Sequence, residues 1–334
     1  MTEHKTHRPR VGFLGLGWIG RLRLEALVRS EIVEVAAMVE PVQAQVEQAL
    51  DLAPEALRCE SLDHLLRQRH LDGVVIATPS AWHAAQTIAC ADAGLSVFCQ
   101  KPLGRTAAET RQAVAAARRA DRLLAVDLSY RFLRGIQTMR HLIQGAEIGH
   151  VYAVELVFHN AYGPDKAWFY DPVQSGGGCV IDLGIHLVDL ALWILDFPRV
   201  TSVVSRLYAH GQQLGANPNE VEDYAVAQID LATGATVTLT CSWHLPVGYD
   251  AQIEASFYGT SGGLGLRNVE GSFYDFRVER YRGTARECLH DPPDAWGGRA
   301  AVAWAQQLAI TPQYDPDIEH LIAVAEVLDA IYTR

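Results

Sequence analysis

Much that would assign this chain to a class is missing from it. No Cys-x-x-Cys pair occurs: Cys59, Cys90, Cys99, Cys179, Cys241 and Cys288 are scattered, with no zinc-ligand spacing. They are expected as reduced thiols of a cytoplasmic protein, not as a disulfide framework. A basic excess is missing too. The 39 acidic residues outnumber 28 basic ones, a net charge of −11, which is the wrong sign for a nucleic-acid or anionic-membrane partner. It leaves room for an anionic cofactor, because a helix N-terminus can oppose the global charge locally. No uninterrupted apolar run reaches the roughly 18 residues of a membrane span. Residues 1–10 are polar and basic, lack the apolar centre of a secretory signal, and read as a loose tail. There is no internal repeat and no low-complexity segment.

What is present is an ordinary globular composition, 49% hydrophobic and 20% charged over 334 residues, enough for two domains. One stretch stands out, residues 11–20, Val-Gly-Phe-Leu-Gly-Leu-Gly-Trp-Ile-Gly. A short apolar run leads into Gly15, Gly17 and Gly20, and a helical pattern follows. This is the G-x-G-x-x-G arrangement of a dinucleotide-binding turn. Gly15 permits the sharp turn, Gly17 lets the backbone approach a pyrophosphate, and Gly20 lets the new helix pack close to the strand. Trp18 and Ile19 lie between them, where a helix start presents its N–H groups to phosphate. Any tight strand-to-helix turn favours glycine, so context matters. A second apolar strand, 33–39, ends in Glu40, where a carboxylate accepts the hydroxyls of an adenosine ribose.

Strand and helix alternate through the first part. Strands are expected at 74–77, 96–99 and 123–127, and helices at 42–50, 62–69, from 82 to about 93, and 107–120. Such units imply right-handed crossovers and a parallel sheet with helices on both faces. The boundary falls near residue 127, giving domains 1–127 and 128–334. The second part reads as a helix at 133–145, a strand at 151–159, an aromatic loop at 160–175 and a helix at 180–195. Strands follow at 200–209, 223–231, 236–243, 251–258 and 272–279. Consecutive strands without helices between them imply an open, mainly antiparallel sheet with helices on one face. Residues 283–317 read as a long loop with a short helical piece, before a terminal helix at 318–332.

Ligands of open parallel sheets bind at the carboxyl ends of the strands. That picks out Thr78, Pro79 and His83, and the run Gln100-Lys101-Pro102. A lysine there is either a surface charge or a group beside a nicotinamide ring. A second constellation is Gly176-Gly177-Gly178-Cys179-Val180-Ile181-Asp182-Leu183-Gly184-Ile185-His186-Leu187-Val188-Asp189. Asp182 and His186, four apart, share one helix face and suit an oriented general base. The competing reading is a pair of interdomain polar contacts. A metal held by Asp182, His186 and Asp189 is not expected, because one helix turn seldom supplies a full shell.

Together these motifs resemble the Gfo/Idh/MocA family of glucose-fructose oxidoreductase and inositol dehydrogenase-like proteins. The resemblance rests on the glycine turn, Thr78-Pro79-Ser80 with His83, Lys101-Pro102, and the glycine run with Asp182, His186 and Asp189, and it spans essentially the whole chain. It implies a Rossmann domain, an α+β domain whose open sheet forms a homodimer or homotetramer, and hydride transfer between a nicotinamide cofactor and a secondary alcohol of a sugar, cyclitol or related polyol. Carried over by position, Lys101, Asp182 and His186 are the catalytic residues. His186, oriented by Asp182, is the chosen base, and Lys101 stabilises the reacting oxygen; an exchange of those two roles stays open. The glycine turn is expected to set the nicotinamide where these groups meet. One departure is Gln100, where the family carries glutamate, which removes a negative charge beside Lys101. Glu40 favours NAD over NADP, since it repels a 2′-phosphate and no basic residue directly follows it. Substrate-binding candidates are Lys101, Arg131, Tyr162, Trp168, Asp182 and His186, with Tyr130, Lys166, Tyr170 and His244 as further polar or aromatic groups; Arg131 fits an acidic substrate equally. Two other functions remain in view: an NAD-dependent glycoside hydrolase or lyase using transient oxidation, and a non-catalytic NAD-bound regulator.

Overall fold

The computed structural model describes residues 8–68, 70–215 and 219–333. The expected loose start therefore lies mostly outside the described residues, as does Arg69 at the end of an expected helix. The chain divides into two compact units, one made of Met1–Gly104, Ala108–Asp127 and Gly297–Glu319, the other of Arg105–Ala107, Leu128–Trp296 and His320–Arg334.

The first unit alternates β1 (Arg10–Leu14), α1 (Trp18–Ser30), β2 (Glu34–Val39), α2 (Gln43–Leu50), β3 (Leu57–Cys59), α3 (Leu62–Leu66), β4 (Gly73–Ile76), α4 (Ser80–Asp92), β5 (Ser96–Cys99), α5 (Ala107–Ala120) and β6 (Leu124–Val126). Its six strands are all parallel, in the order β3-β2-β1-β4-β5-β6. Gly-Val-Val-Ile of β4 and Ser-Val-Phe-Cys of β5 are buried at every residue, as strands covered on both faces must be. The order reverses between β1 and β4, the switch point where open sheets bind ligands.

The second unit contains α6 (Arg134–Gln144), β7 (Val151–Asn160), the short α7 (Pro172–Ser175), a π turn over Val180–Gly184, α8 (Ile185–Ile194), and the strands β8 (Val200–Ala209), β9 (Gln212–Gln213), β10 (Tyr224–Leu231), β11 (Thr236–Ser242), β12 (Ala251–Gly259), β13 (Gly262–Asn268), β14 (Phe276–Arg282) and β15 (Ala285–His290). The nine strands form one open sheet, β15-β14-β13-β12-β7-β11-β10-β8-β9. Neighbours run antiparallel except β7 and β11, which are parallel. Residues Pro172–Ile194 form a helical stretch long and apolar enough, on average, to cross a bilayer, with a mean hydropathy of 1.6; 83% of that window is buried in the fold, so it is a core helix.

Four strands lie where none was expected: β3, the two-residue β9, β13 and β15. β13, Gly-Gly-Leu-Gly-Leu-Arg-Asn, lies inside the sheet despite its glycines. The ring of Tyr281 on β14 occupies the space that side chains on β13 would need: a Cβ on Gly265 would lie 2.3 Å from its hydroxyl, and one on Gly263 3.2 Å from its ring. The edge strand β15 is exposed over its first four residues and so carries no apolar alternation to read.

The tail also divides differently. α9 (Arg299–Ile310) packs in the first unit, whereas α10 (His320–Tyr332) packs in the second. Trp304 of α9 is 2% exposed. Its ring lies 5.8 Å from that of Phe98, and a Cβ on Gly73 would sit 2.9 Å from it. The N–H of Leu123 donates to the Pro312 carbonyl at 2.7 Å. Trp304→Ala is expected to cost about 3–5 kcal/mol, and limited proteolysis should then cut first within 297–319; urea unfolding and mass mapping of fragments check both.

Candidate active site

In the first unit the carboxyl ends of the strands gather the residues that the sequence singled out. The N–H of Gly15 donates to the Val39 carbonyl at 3.0 Å and that of Ala77 to Leu14 at 2.7 Å, locking the ends of β1, β2 and β4 together. Gly15 has φ +84°, and a Cβ there would lie 2.6 Å from the Ala77 carbonyl oxygen; one on Gly20 would lie 2.3 Å from the Gly15 oxygen. These two glycines are steric necessities. Gly17 is different, because a Cβ there would meet nothing within 4 Å. It stands at the start of α1, which has no side-chain cap and no acidic residue in its first turn. Open space before uncapped N–H groups is what a pyrophosphate requires, so the turn fits a dinucleotide. Trp18 is exposed, and Ile19 half-buried.

Glu40 is only 7% exposed. Its Oε2 accepts from Leu16 N–H at 2.7 Å and its Oε1 from Val42 N–H at 2.9 Å. The carboxylate thus pins the glycine turn to the end of β2.

Thr78 and Pro79 are half-buried at the end of β4, and Thr78 Oγ1 donates to Gln86 Oε1 at 2.6 Å. His83 is buried, with Nδ1 2.6 Å from the Pro102 carbonyl and Nε2 2.6 Å from the Thr78 carbonyl. Burial pushes its pKa down, opposed by those two contacts and helped by the nearby Lys101 charge. With both ring nitrogens on backbone carbonyls, His83 ties the Thr78 turn to the cis Lys101–Pro102 turn. Lys101 itself is half-buried.

Gln100 finds its explanation here. Its Nε2 donates to the Asp127 carboxylate at the end of β6, and Arg23 of α1 donates to the same oxygen at 2.5 Å. Gln100, Asp127 and Arg23 are all buried. The carboxylate beside the buried guanidinium is Asp127, and an amide at position 100 bridges to it without adding a second charge. Gln100 therefore reaches inward through its amide nitrogen. Asp127 and Arg23 were missed by sequence reasoning, although Asp127 follows a strand of the parallel sheet, the position that flagged Gln100.

In the second unit the glycine run meets three neighbours. A Cβ on Gly176 would lie 2.6 Å from Arg105 Cβ, one on Gly177 2.1 Å from the Tyr332 hydroxyl, and one on Gly178 1.9 Å from the Glu222 carbonyl oxygen. The Glu222 carboxylate, 1% exposed, accepts from Gly178 N–H at 3.0 Å, Val180 N–H at 2.9 Å and the Tyr332 hydroxyl at 2.8 Å. It caps the start of the helix that follows. Burial raises its pKa, against the pull of these donors. Sequence reasoning missed Glu222, which no local pattern marks.

Residues 180–184 form a π turn, closed by a bond from Ile185 N–H to the Val180 carbonyl, in place of the expected α-helix. Such widened turns recur at functional sites. Through residues 177–192 every residue is buried except Asp182 and His186. The polar pair thus shares the one open side of a core helix. Trp243 Nε1 donates to Asp182 Oδ2 at 3.2 Å, and the His186 ring lies 5.0 Å from that of Tyr130. The Tyr170 ring lies tilted against Trp243, centroids 5.5 Å apart. Its hydroxyl is 3.3 Å from His244 Nε2, and its pKa is raised by burial and by the Asp182 charge. Trp168 is stacked on Phe169 at 3.8 Å, and Tyr162 is half exposed. Lys166 pairs with Asp165 at the surface.

Arg131 is paired within the second unit. Its Nε donates to Asp189 Oδ2 at 2.8 Å and its Nη2 to Oδ1 of the same buried carboxylate, and its guanidinium lies 5.6 Å from the Trp193 ring. Burial raises the Asp189 pKa, and Arg131 opposes that rise. A bidentate pair of this kind uses the planar fork of the guanidinium, so Arg131 is committed to the fold. No group of three potential metal ligands occurs among the described residues.

Residues 9–128 match the family described as an oxidoreductase family with an NAD-binding Rossmann fold, and residues 136–265 match the GFO/IDH/MocA C-terminal domain. The chain belongs to the Gfo/Idh/MocA oxidoreductases. It is 28% identical to the rhizopine catabolism protein MocA of Rhizobium meliloti over 76% of this chain and 77% of that protein. The crystal structure of GenD2 from gentamicin A biosynthesis, in complex with NAD, superposes with a TM-score of 0.81 at 25% identity, covering 99% of this chain and 95% of that one. KijD10, a 3-ketoreductase from Actinomadura kijaniata solved with NADP, shares the fold at 20% identity, with a TM-score of 0.82 and 97% of each chain covered. Members of this fold therefore hold either nicotinamide dinucleotide.

Gln100→Glu should place a second buried carboxylate against Asp127, and one of the two must then carry a raised pKa. A raised acid pKa in the folded state contributes stability at low pH that is lost as pH rises through it. The variant should thus melt lower than the parent at pH 8 and approach it at pH 5. Asp127→Asn alone should cost about 3–5 kcal/mol by stranding Arg23, and the exchange Gln100→Glu with Asp127→Asn should recover most of that loss. Calorimetric melting across pH reads all three.

Proposed function

We propose that the chain is an NAD-dependent dehydrogenase acting on a secondary alcohol of a neutral sugar, cyclitol or related polyol. The observation that carries this is the open side of the core helix, where Asp182 and His186 alone escape burial, in a chain whose other unit holds an uncapped glycine turn with Glu40 beside it. Bound NAD would accept the hydride released from the carbinol carbon. Gly17 and the first N–H groups of α1 would hold its pyrophosphate, and Glu40 its ribose hydroxyls. His186 takes the hydroxyl proton as the base, with Asp182, itself held by Trp243, setting the charge beside it. Lys101 donates a hydrogen bond to the reacting oxygen and stabilises its developing negative charge. His83 acts through the turn that carries Lys101.

Three observations narrow the reading. Membership of an oxidoreductase family favours catalysis over a purely regulatory role. The pairing of Arg131 with Asp189 favours a neutral substrate over an acidic one. A buried carboxylate at position 40 disfavours a 2′-phosphate, which supports NAD over NADP. A homodimer or homotetramer through the open face of the nine-stranded sheet goes with this assignment, and light scattering would test it.

With purified protein, NAD and a panel of free sugars, inositols and glycosides, stoichiometric NADH is the expected product. Lys101→Ala and His186→Ala should each lower kcat by about 10²–10⁴-fold with NAD affinity retained. Bond cleavage without net NADH would replace the reading by the transient-oxidation alternative, and variants as active as the parent would remove both residues from the mechanism. Glu40→Ala should reduce the NAD-over-NADP preference in kcat/KM by about tenfold or more; an unchanged ratio refutes the ribose role.

A further inference from the structure

Three turns of the second unit come together and present tyrosines to solvent. Tyr162, Tyr249 and Tyr274 are 50%, 61% and 52% exposed. Exposed aromatics on loose loops would mean little, but these turns are pinned. Ala161 N–H donates to the Asp250 carbonyl at 3.0 Å, and Leu245 N–H to the Asn160 carbonyl at 3.0 Å. Trp296 Nε1 donates to the Tyr274 carbonyl at 2.9 Å, Tyr274 N–H to Ser272 Oγ at 3.1 Å, and Asn268 Nδ2 to the Ser272 carbonyl at 2.9 Å. Gly271, at φ +78°, brings its turn so close to Tyr249 that a Cβ would lie 2.7 Å from the tyrosine Cβ. Tyr162 and Phe273 face each other at 6.2 Å.

The cluster is continuous with the candidate active site. Gly163, next to Tyr162, donates its N–H to His244 Nδ1 at 3.3 Å, the hydroxyl of the partly exposed Tyr170 lies 3.3 Å from His244 Nε2, and the Tyr170 ring lies 5.5 Å from Trp243, whose Nε1 donates to Asp182. Rigid tyrosines held out from ordered backbone offer a flat apolar face and a phenol at low entropic cost on binding. Pyranose rings, with C–H bonds on one face and hydroxyls around the rim, match that combination. Charge decides between the larger substrates that would reach the cluster. The charged residues of 160–166, 244–250 and 268–275 are Asp165, Asp250, Glu270 and Asp275 against Lys166 alone, and Lys166 is already paired with Asp165. A diphosphate would meet like charge there.

The geometry points to a subsite for a second sugar ring, so that the substrate is a neutral glycoside and not a free monosaccharide or a nucleoside diphosphate sugar. This rests on the dehydrogenase reading for the reacting ring alone. The second ring lies on the tyrosine cluster while the first presents its carbinol to His186. No residue of the cluster takes part in the proton or hydride step.

The test compares three ligands: a free hexose, a disaccharide carrying that hexose at its non-reducing end, and the uridine diphosphate ester of the hexose. Titration calorimetry with the NAD-loaded protein should give a Kd about tenfold lower for the disaccharide than for the hexose, with the diphosphate ester binding more weakly than the disaccharide. Initial rates should rank kcat/KM in the same order. Tyr249→Ala and Tyr274→Ala should each bring the disaccharide-to-hexose ratio of kcat/KM close to one. Tighter binding of the diphosphate ester, or a ratio that neither variant moves, overturns the subsite. If the disaccharide binds preferentially but no sugar yields NADH, the subsite stands and the dehydrogenase reading falls; if hexose is oxidised without preference for the second ring, the reverse holds.

Discussion

In both units backbone runs, at certain glycines, so close to backbone that no side chain fits, and both groups of candidate residues depend on that constraint. At Gly15 and Gly20 the start of α1 lies against the ends of β1 and β4, which puts the uncapped N–H groups of the helix at the edge of the parallel sheet. At Gly178 the chain presses on the Glu222 carbonyl, 1.9 Å from where a Cβ would stand. That contact lets the Glu222 carboxylate reach the amides of Gly178 and Val180 and hold the helix that carries Asp182 and His186. In each case a steric limit on one residue fixes the direction of a helix, and the helix fixes what chemistry its residues can meet.

The two helix starts use the same physics to opposite ends. Both present orphan N–H groups and a positive dipole end. In the second unit a buried glutamate satisfies those groups from within, and the cap is further closed by the Tyr332 hydroxyl. In the first unit the carboxylate Glu40 sits beside the start without capping it, accepting instead from Leu16 and Val42. The first arrangement is complete by itself, and the second is completed by an anionic ligand. That difference separates a glycine turn built for binding from one built for packing, although the two look alike as strings of glycine.

Much of this was legible from residue order. The strands at β4 and β5 are short, wholly apolar runs, and burial on both faces leaves no other way to write them. Glu40, Thr78 and Lys101 were singled out because they follow strands of the parallel sheet. Spacing put Asp182 and His186 on one helix face, and the family resemblance suggested their roles. What escaped lay in pairings distant in sequence. Gln100 looks like a loss until Asp127 and Arg23 are beside it, and Arg131 looks like a substrate anchor until Asp189 takes its guanidinium. Glu222 and Trp243 touch the helical segment of Asp182 and His186 from 42 and 61 positions away. β13 was hidden because its missing side chains are supplied by Tyr281 across the strand. Local pattern records what a residue is, and only the fold records which partner it has.

The placement of α9 bears on how the protein is made. The first unit is assembled from residues before 128 and from Gly297–Glu319, with the whole sheet of the second unit threaded between them. Translation at about 5–20 residues per second delivers every strand of the parallel sheet early, with Gly73 and Phe98 still lacking the Trp304 ring that covers them. The nucleotide unit therefore waits for its neighbour's strands to be synthesised before it can close its own core. A ribosome that stalls inside the second unit leaves both units unfinished, so a partial product has no completed nucleotide unit with which to bind cofactor.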